Sequence, residues 1–228
     1  MAEQLELLNS DAHGQLRMRV DPGEPHPHFA MIVLSEFSAA SGTCPIFLAK
    51  DPTTGEFYAA ALFGFEPGEL LVEGAAEGKA PFQPLDLQRR GFFAADENIA
   101  IDIAHPRFDS RATLALFEED GTPSNALRRI QKVIGELAGG IEATRAFVRE
   151  LLRLKLVEPI DISLRFDDGT QLSLDGLYTV SRDALNGLSD DDVVALFRSG
   201  SLQAALCMSL SLNQIPMLAR RRNERLTA

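Results

Sequence analysis

The stretch at 151–181, LLRLKLVEPIDISLRFDDGTQLSLDGLYTVS, constrains the fold more than any other. Helical spacing stops near Val157 and alternation takes over: Ile160, Ile162, Leu164 and Phe166, then Leu172 and Leu174. A period of two marks strands with one buried face. The intervening Asp167-Asp168-Gly169-Thr170 carries the Asp-Gly pair that favours tight reversal. The sequence therefore predicts a β-hairpin, 160–166 with 171–180, set between helical segments. Whether it packs with the helices or extends another sheet stays open at this level.

Upstream, the pattern is mostly strand-like. Residues 1–14 read as loose and polar, and Leu16, Met18 and Val20 alternate as a short strand. Residues 21–27, rich in proline, form a loop before an apolar run at 29–37 that reads as a buried strand. Segments 45–50 and 57–65 form a hairpin around Asp51-Pro52-Thr53-Thr54-Gly55, whose composition is that of a turn. Further strands are expected at 70–73, 99–103 and 113–118, and the Gly/Ala/Pro segment 74–84 has no period.

After residue 120 helices dominate. Thr122 is placed to cap a helix with Pro123 in its first turn. Apolar residues then keep helical spacing from Leu127 to Leu152, interrupted by Gly139-Gly140. Two adjacent glycines each cost about 1 kcal/mol relative to alanine in a helix, so a helical hairpin is expected there. A short helical turn follows at 183–188, Ser189 caps a helix over 190–198, and Gly200 stops it. A last amphipathic helix spans 201–225, disturbed before Pro216. The fold expected is α+β: one unit with a β-rich lobe at about 1–120, mainly antiparallel, and a helix-rich lobe at about 121–228.

Composition narrows the function. The formal charge of −11 argues against binding nucleic acid or an anionic membrane, because phosphate recognition needs a basic face. No apolar run approaches the roughly 20 residues that span a bilayer. Cys44 and Cys207 are the only cysteines, which points to a reducing compartment. A soluble cytoplasmic protein is expected, free to form homo-oligomers.

No catalytic motif stands out. His26 and His28, at i and i+2 in an extended chain, face one side as two metal ligands would, and Glu36 follows. A transition metal there is the alternative to no cofactor; the competing reading is a proline-rich loop entering a strand. Asp102 and His105 form a potential acid–base pair, against a reading as a solvated strand end. Cys44 and Cys207 read as small buried hydrophobes. The basic cluster Arg220, Arg221, Arg222 and Arg225 reads as a solvated helix end. There is no H-E-x-x-H, G-x-S-x-G, C-x-x-C, Walker loop or G-x-G-x-x-G.

Several segments in order resemble the SapC family: HFAMIVLSEF at 28–37, PIFL at 45–48, PFQPLDLQRRGFF at 81–93 and ALFEEDGTPS at 115–124. The helix end LLRLKLVEPIDISL, then DGLYTVSRDALNGLSDD, and SLSLNQIPML at 209–218 continue the match. The resemblance implies an accessory, nonenzymatic role linked to peptide or nutrient uptake; a permease label carried by some members does not suit a chain without a span. An oxygenase-like, metal-dependent enzyme using His26 and His28 is the competing class. The family's middle segment tends to be rich in Trp and Tyr, whereas here it offers Phe82, Arg89-Arg90 and Phe92-Phe93. Segment 81–93 has neither helical nor strand period and reads as a surface loop. If the protein binds a small anionic ligand or an acidic protein partner, Phe82, Arg89 and Arg90 are the expected contacts: an apolar wall beside two donor forks.

Overall fold

The structure is a computed structural model that describes residues 5–21, 24–75 and 80–226. Positions 1–4 of the N-terminus, 22 and 23 of the proline-rich loop and 76–79 of the Gly/Ala/Pro segment lie outside the described residues. The strands are β1 (Leu5–Leu7), β2 (Arg17–Met18), β3 (Phe29–Met31), β4 (Ile46–Lys50), β5 (Phe57–Leu62), β6 (Phe92–Ala95), β7 (Asn98–Asp102), β8 (Leu114–Ala115), β9 (Val157–Arg165) and β10 (Gln171–Val180). The helices are α1 (Ser10–His13), α2 (Phe37–Ser41), α3 (Leu85–Gln88), α4 (Asn125–Arg153), α5 (Arg182–Asn186), α6 (Asp190–Ser199), α7 (Ser201–Ser211) and α8 (Gln214–Leu226). The class is α+β, with antiparallel sheets throughout. Contacts divide the chain into two compact units: Met1–Pro25 with Gln83–Gly139, and His26–Phe82 with Gly140–Ala228.

In the first unit β1, β7 and β6 make a sheet in that order, with Leu5 opposite Asp102 and Phe92 opposite Ile101. β2 and β8 form a separate pair. The core is Met18, Phe92, Ile101 and Leu116 closed by Leu127 and Ile130, one turn apart on α4. That spacing puts both side chains on one helix face.

In the second unit the sheet order is β3-β5-β4-β10-β9. The predicted hairpin is β9–β10, and it extends the sheet: Leu177 and Tyr178 pair with Ala49 and Leu48. A bulge between Leu174 and Leu177, with Gly176 at φ 74°, shifts the register within the hairpin. Pro159 has no N–H to donate and is tolerated because β9 is an edge strand. Ile162 and Phe166 meet Phe47, Leu62, Phe65, Leu71 and Leu218 in one core cluster.

Several expectations are corrected. No break occurs at Gly139-Gly140: α4 is one helix of 29 residues. The reason is packing, since a Cβ on Gly140 would lie 2.6 Å from Val33 Cγ2, while one on Gly139 would meet nothing within 4 Å. The helix starts at Asn125, with Ser124 Oγ accepting from the Leu127 N–H; Thr122 instead donates its N–H and hydroxyl to Asp120. The apolar run at 29–37 is a strand only to Met31, because Glu36 accepts from the Val33 N–H and turns the chain into a 3-10 turn and α2. Residues 70–73 form no strand; the arginines of α8 hold them instead. Segment 81–93 contains α3, and the last helix divides into α7 and α8. The N-terminal stretch carries β1 and α1, the latter capped by Asn9.

Candidate functional site

The β4–β5 turn is built by Asp51, whose Oδ1 accepts from the N–H groups of Thr53 and Thr54, both at 2.8 Å. Gly55 closes it at φ 71°, a conformation that disfavours a side chain. Beyond this turn β5 runs past the end of β3, whose last backbone bond to it is from the Ile32 N–H to the Ala59 carbonyl at 2.9 Å. The chain at 32–36 turns away to meet the second half of α4. Thr144 Oγ1 accepts from the Leu34 N–H at 2.8 Å and donates to the Gly140 carbonyl at 2.7 Å. Together with the missing Cβ of Gly140, this seats α4 against the 3-10 turn.

The gap left between these elements is a half-open cleft of about 330 Å³. Its walls are apolar, from Met31, Ile32, Phe57 and Ile141, and its polar groups are Asp51, Thr54, Glu56, Tyr58, Thr144 and Arg145. Arg145 is held by Glu142 at 2.7 Å and Glu56 at 3.5 Å. The N–H groups of Thr54 and Thr53 hold the Asp51 carboxyl below its ordinary range. Burial, reinforced by the Asp51 charge, pushes the Tyr58 phenol up, so it stays neutral at physiological pH. Phe57 packs edge-on against Tyr178, and the Lys50 ammonium lies 5.0 Å from the Phe57 ring centroid. Sequence reasoning missed this site because its members come from three separated segments; the one hint was that Tyr58 is one of only two tyrosines.

The residues picked out from the sequence lie elsewhere. Phe82 belongs to the second unit and stacks parallel on Phe63, centroids 6.2 Å apart. Arg89 and Arg90 belong to the first. Arg89 donates to Asp86 through Nε and Nη2 and to the Phe92 carbonyl through Nη1, and it lies over the Phe93 ring. Arg90 pairs with Glu24 at 2.7 Å. An anion binding these forks would compete with Asp86 and Glu24. His26 Nδ1 donates to the Pro27 carbonyl at 2.8 Å, and the ring packs edge-on against Phe63, ring centroids 4.4 Å apart. The His28 carbonyl accepts from Phe63 and Gly64, and the buried Glu36 carboxylate from Val33. Among the described residues no three His, Cys, Asp or Glu side chains are grouped to hold a metal ion.

In the first unit Arg107 is the buried organiser. It is 3% exposed, donates Nη1 to the carbonyls of Gln88 and Arg90 at 2.6 and 2.9 Å, and stacks over Phe92. Burial lowers its pKa to about 10, still charged at neutral pH. His105 Nδ1 accepts from the Arg107 N–H, which places the ring proton on Nε2, 3.5 Å from Glu24. Burial lowers the His105 pKa and keeps the ring neutral, and Gly91 at φ 85° packs against it. This strand end is packed rather than solvated: Asp102 is buried and accepts from the Ala104 N–H. The arrangement caps the 3-10 turn Pro106–Phe108. Cys44 is buried, with its thiol pushed up to about 12 by burial, so it is no nucleophile at neutral pH.

Three of the four α8 arginines are structural too, whereas Arg220 stays mostly exposed beside Glu224 on the same helix. Arg221 donates to the Leu71 carbonyl and pairs with Glu73, and Arg225 donates to the Leu70 carbonyl. Arg222 lies 4.3 Å over Phe166 while pairing with Glu66 and Glu69. This corrects the reading of a solvated helix end for Arg221, Arg222 and Arg225. Among the described residues no single helix is long and apolar enough to cross a membrane.

Fold and site together define an α+β protein with a small amphipathic cleft on one sheet edge. The family model described as SapC matches residues 8–218, and the chain belongs to the SapC family. Comparison with curated proteins and comparison with solved structures each returned no match.

Proposed function

We propose that this SapC-family chain is a nonenzymatic binding protein that holds a small solute in the cleft beside α4, as an accessory to peptide or nutrient uptake. The observation that carries the reading is the cleft itself: about 330 Å³, with apolar walls and a few convergent polar groups. Small-molecule sites have this character, and their volumes start at about 300 Å³. The lining residues favour holding over reacting. Thr144 has its hydroxyl committed to the helix and to Leu34, and among the described residues neither histidine nor cysteine lines the cleft. The link to uptake rests on the family resemblance. The metal-enzyme reading is weaker, because the Glu36 carboxylate is engaged by the Val33 N–H.

The test is native mass spectrometry of protein from cells, with thermal-shift measurements against amines, amino acids and dipeptides. A bound solute lost in an Ile141→Trp variant, which fills the cleft, is the expected result. A stoichiometric transition metal lost on His26→Ala/His28→Ala replacement would overturn the reading.

A further inference from the structure

We propose that the solute is an organic cation, an ammonium on an apolar body, with its charge held by Asp51 and Tyr58. The inference rests on the cleft being a binding site and adds the chemistry of its ligand. Its ionisable lining is Asp51, Glu56 and Arg145, two acids against one base. Arg145 is already engaged by Glu56 and Glu142. Asp51 has no ion-pair partner among the described residues; its Oδ1 takes the two turn N–H groups, and the Thr54 hydroxyl also bonds the carboxylate. These turn groups keep the carboxylate ionised, so a negative charge that no ion pair neutralises stands at the cleft.

Tyr58 completes the recognition. Its hydroxyl has no hydrogen-bond partner among the described residues, and it feels the Asp51 charge. A neutral phenol accepts from an ammonium N–H. An ammonium carries donors for both oxygens, whereas an anion would meet two carboxylates and desolvate them without return. Met31, Ile32 and Ile141 then cover an apolar body. The same ammonium can come from a free amine or from the N-terminus of a hydrophobic peptide.

The test uses four probes on the full chain by titration calorimetry: phenethylamine, phenylalanine amide, 2-phenylethanol and phenylacetate. The two cations should bind about tenfold or more tighter than the alcohol, the margin of one charge-assisted contact, and phenylacetate weakest. Binding of phenethylamine alone identifies a free amine, and binding of both cations a peptide-like N-terminus. Asp51→Asn keeps the turn acceptor, so it should remove the preference for cations while leaving the alcohol unchanged. Equal binding of amine and alcohol, both lost in Ile141→Trp, would overturn the cation and leave the cleft reading intact. No binding by any probe, or binding unaffected by Ile141→Trp, would overturn both.

Discussion

Gly140 and Val33 touch so closely that any side chain on Gly140 would place its Cβ 2.6 Å from Val33 Cγ2. The neighbouring Gly139 has nothing within 4 Å of the same position. The two glycines therefore separate under mutation. Gly139→Ala should stabilise by about 0.5–1 kcal/mol through helix propensity. Gly140→Ala should destabilise by about 1–3 kcal/mol, as overpacking does. Urea unfolding of the two single variants checks the opposite signs.

Thr144→Val removes the acceptor of the part-buried Leu34 N–H at nearly constant side-chain volume. A fully buried unsatisfied donor costs about 1–3 kcal/mol, so the variant should lose stability up to about the lower part of that range. It should also loosen the cleft and weaken solute binding, whereas Thr144→Ser should retain both. Denaturation and calorimetry on the pair separate lost hydrogen bonding from lost volume.

Stability should fall with acidification through His105. Its pKa is lower in the folded protein than the ordinary 6.5. Below pH about 6.5 the unfolded chain takes up a proton that the folded chain refuses, so the unfolding free energy decreases as pH drops until the folded pKa is reached. Above that window the contribution is constant. His105→Gln should flatten the stability profile between pH 7 and the folded pKa; an unchanged slope would show that other groups set it.

Arg107→Met should be the most damaging substitution in the first unit. It leaves the carbonyls of Gln88 and Arg90 without their donor, at about 1–3 kcal/mol for each group. By contrast Arg90→Ala removes a half-exposed pair with Glu24 and should cost about 1 kcal/mol or less. If Arg89 and Arg90 instead recognise an acidic partner, their double alanine variant will lose that partner with its melting temperature nearly unchanged.

What could be read from the chain was what neighbours in sequence decide. The hairpin followed from alternation and from Asp168-Gly169, and β9–β10 lies where those residues put it. The α+β class followed in the same way. Gly140 misled because its partner, Val33, lies more than a hundred positions away, and no local propensity reports that contact. Glu36 misled likewise: its apolar surroundings suggested a strand, yet one carboxylate at the Val33 N–H turns the chain. The cleft escaped because Asp51, Tyr58 and Arg145 form no motif; only the sheet edge and α4 bring them together. The Phe82, Arg89 and Arg90 segment drew attention by composition alone, and composition does not reveal that Asp86 and Glu24 already face its arginines.

The register of β10 against β4 sets a schedule for the nascent chain. Ile46, Phe47 and Leu48 are wholly buried in the finished protein, and Leu48 waits for Tyr178 as its cross-strand neighbour. That neighbour is translated about 130 residues later, roughly 6–26 s at the usual elongation rates. During this interval the β4–β5 hairpin carries an open apolar edge, which is the kind of surface that holdase chaperones cover. The first unit has every segment it needs once Gly139 has emerged. Slow or stalled translation between those two points therefore exposes the second sheet and spares the first, and aggregates from such stalls should contain the 46–62 segment in their protected cores.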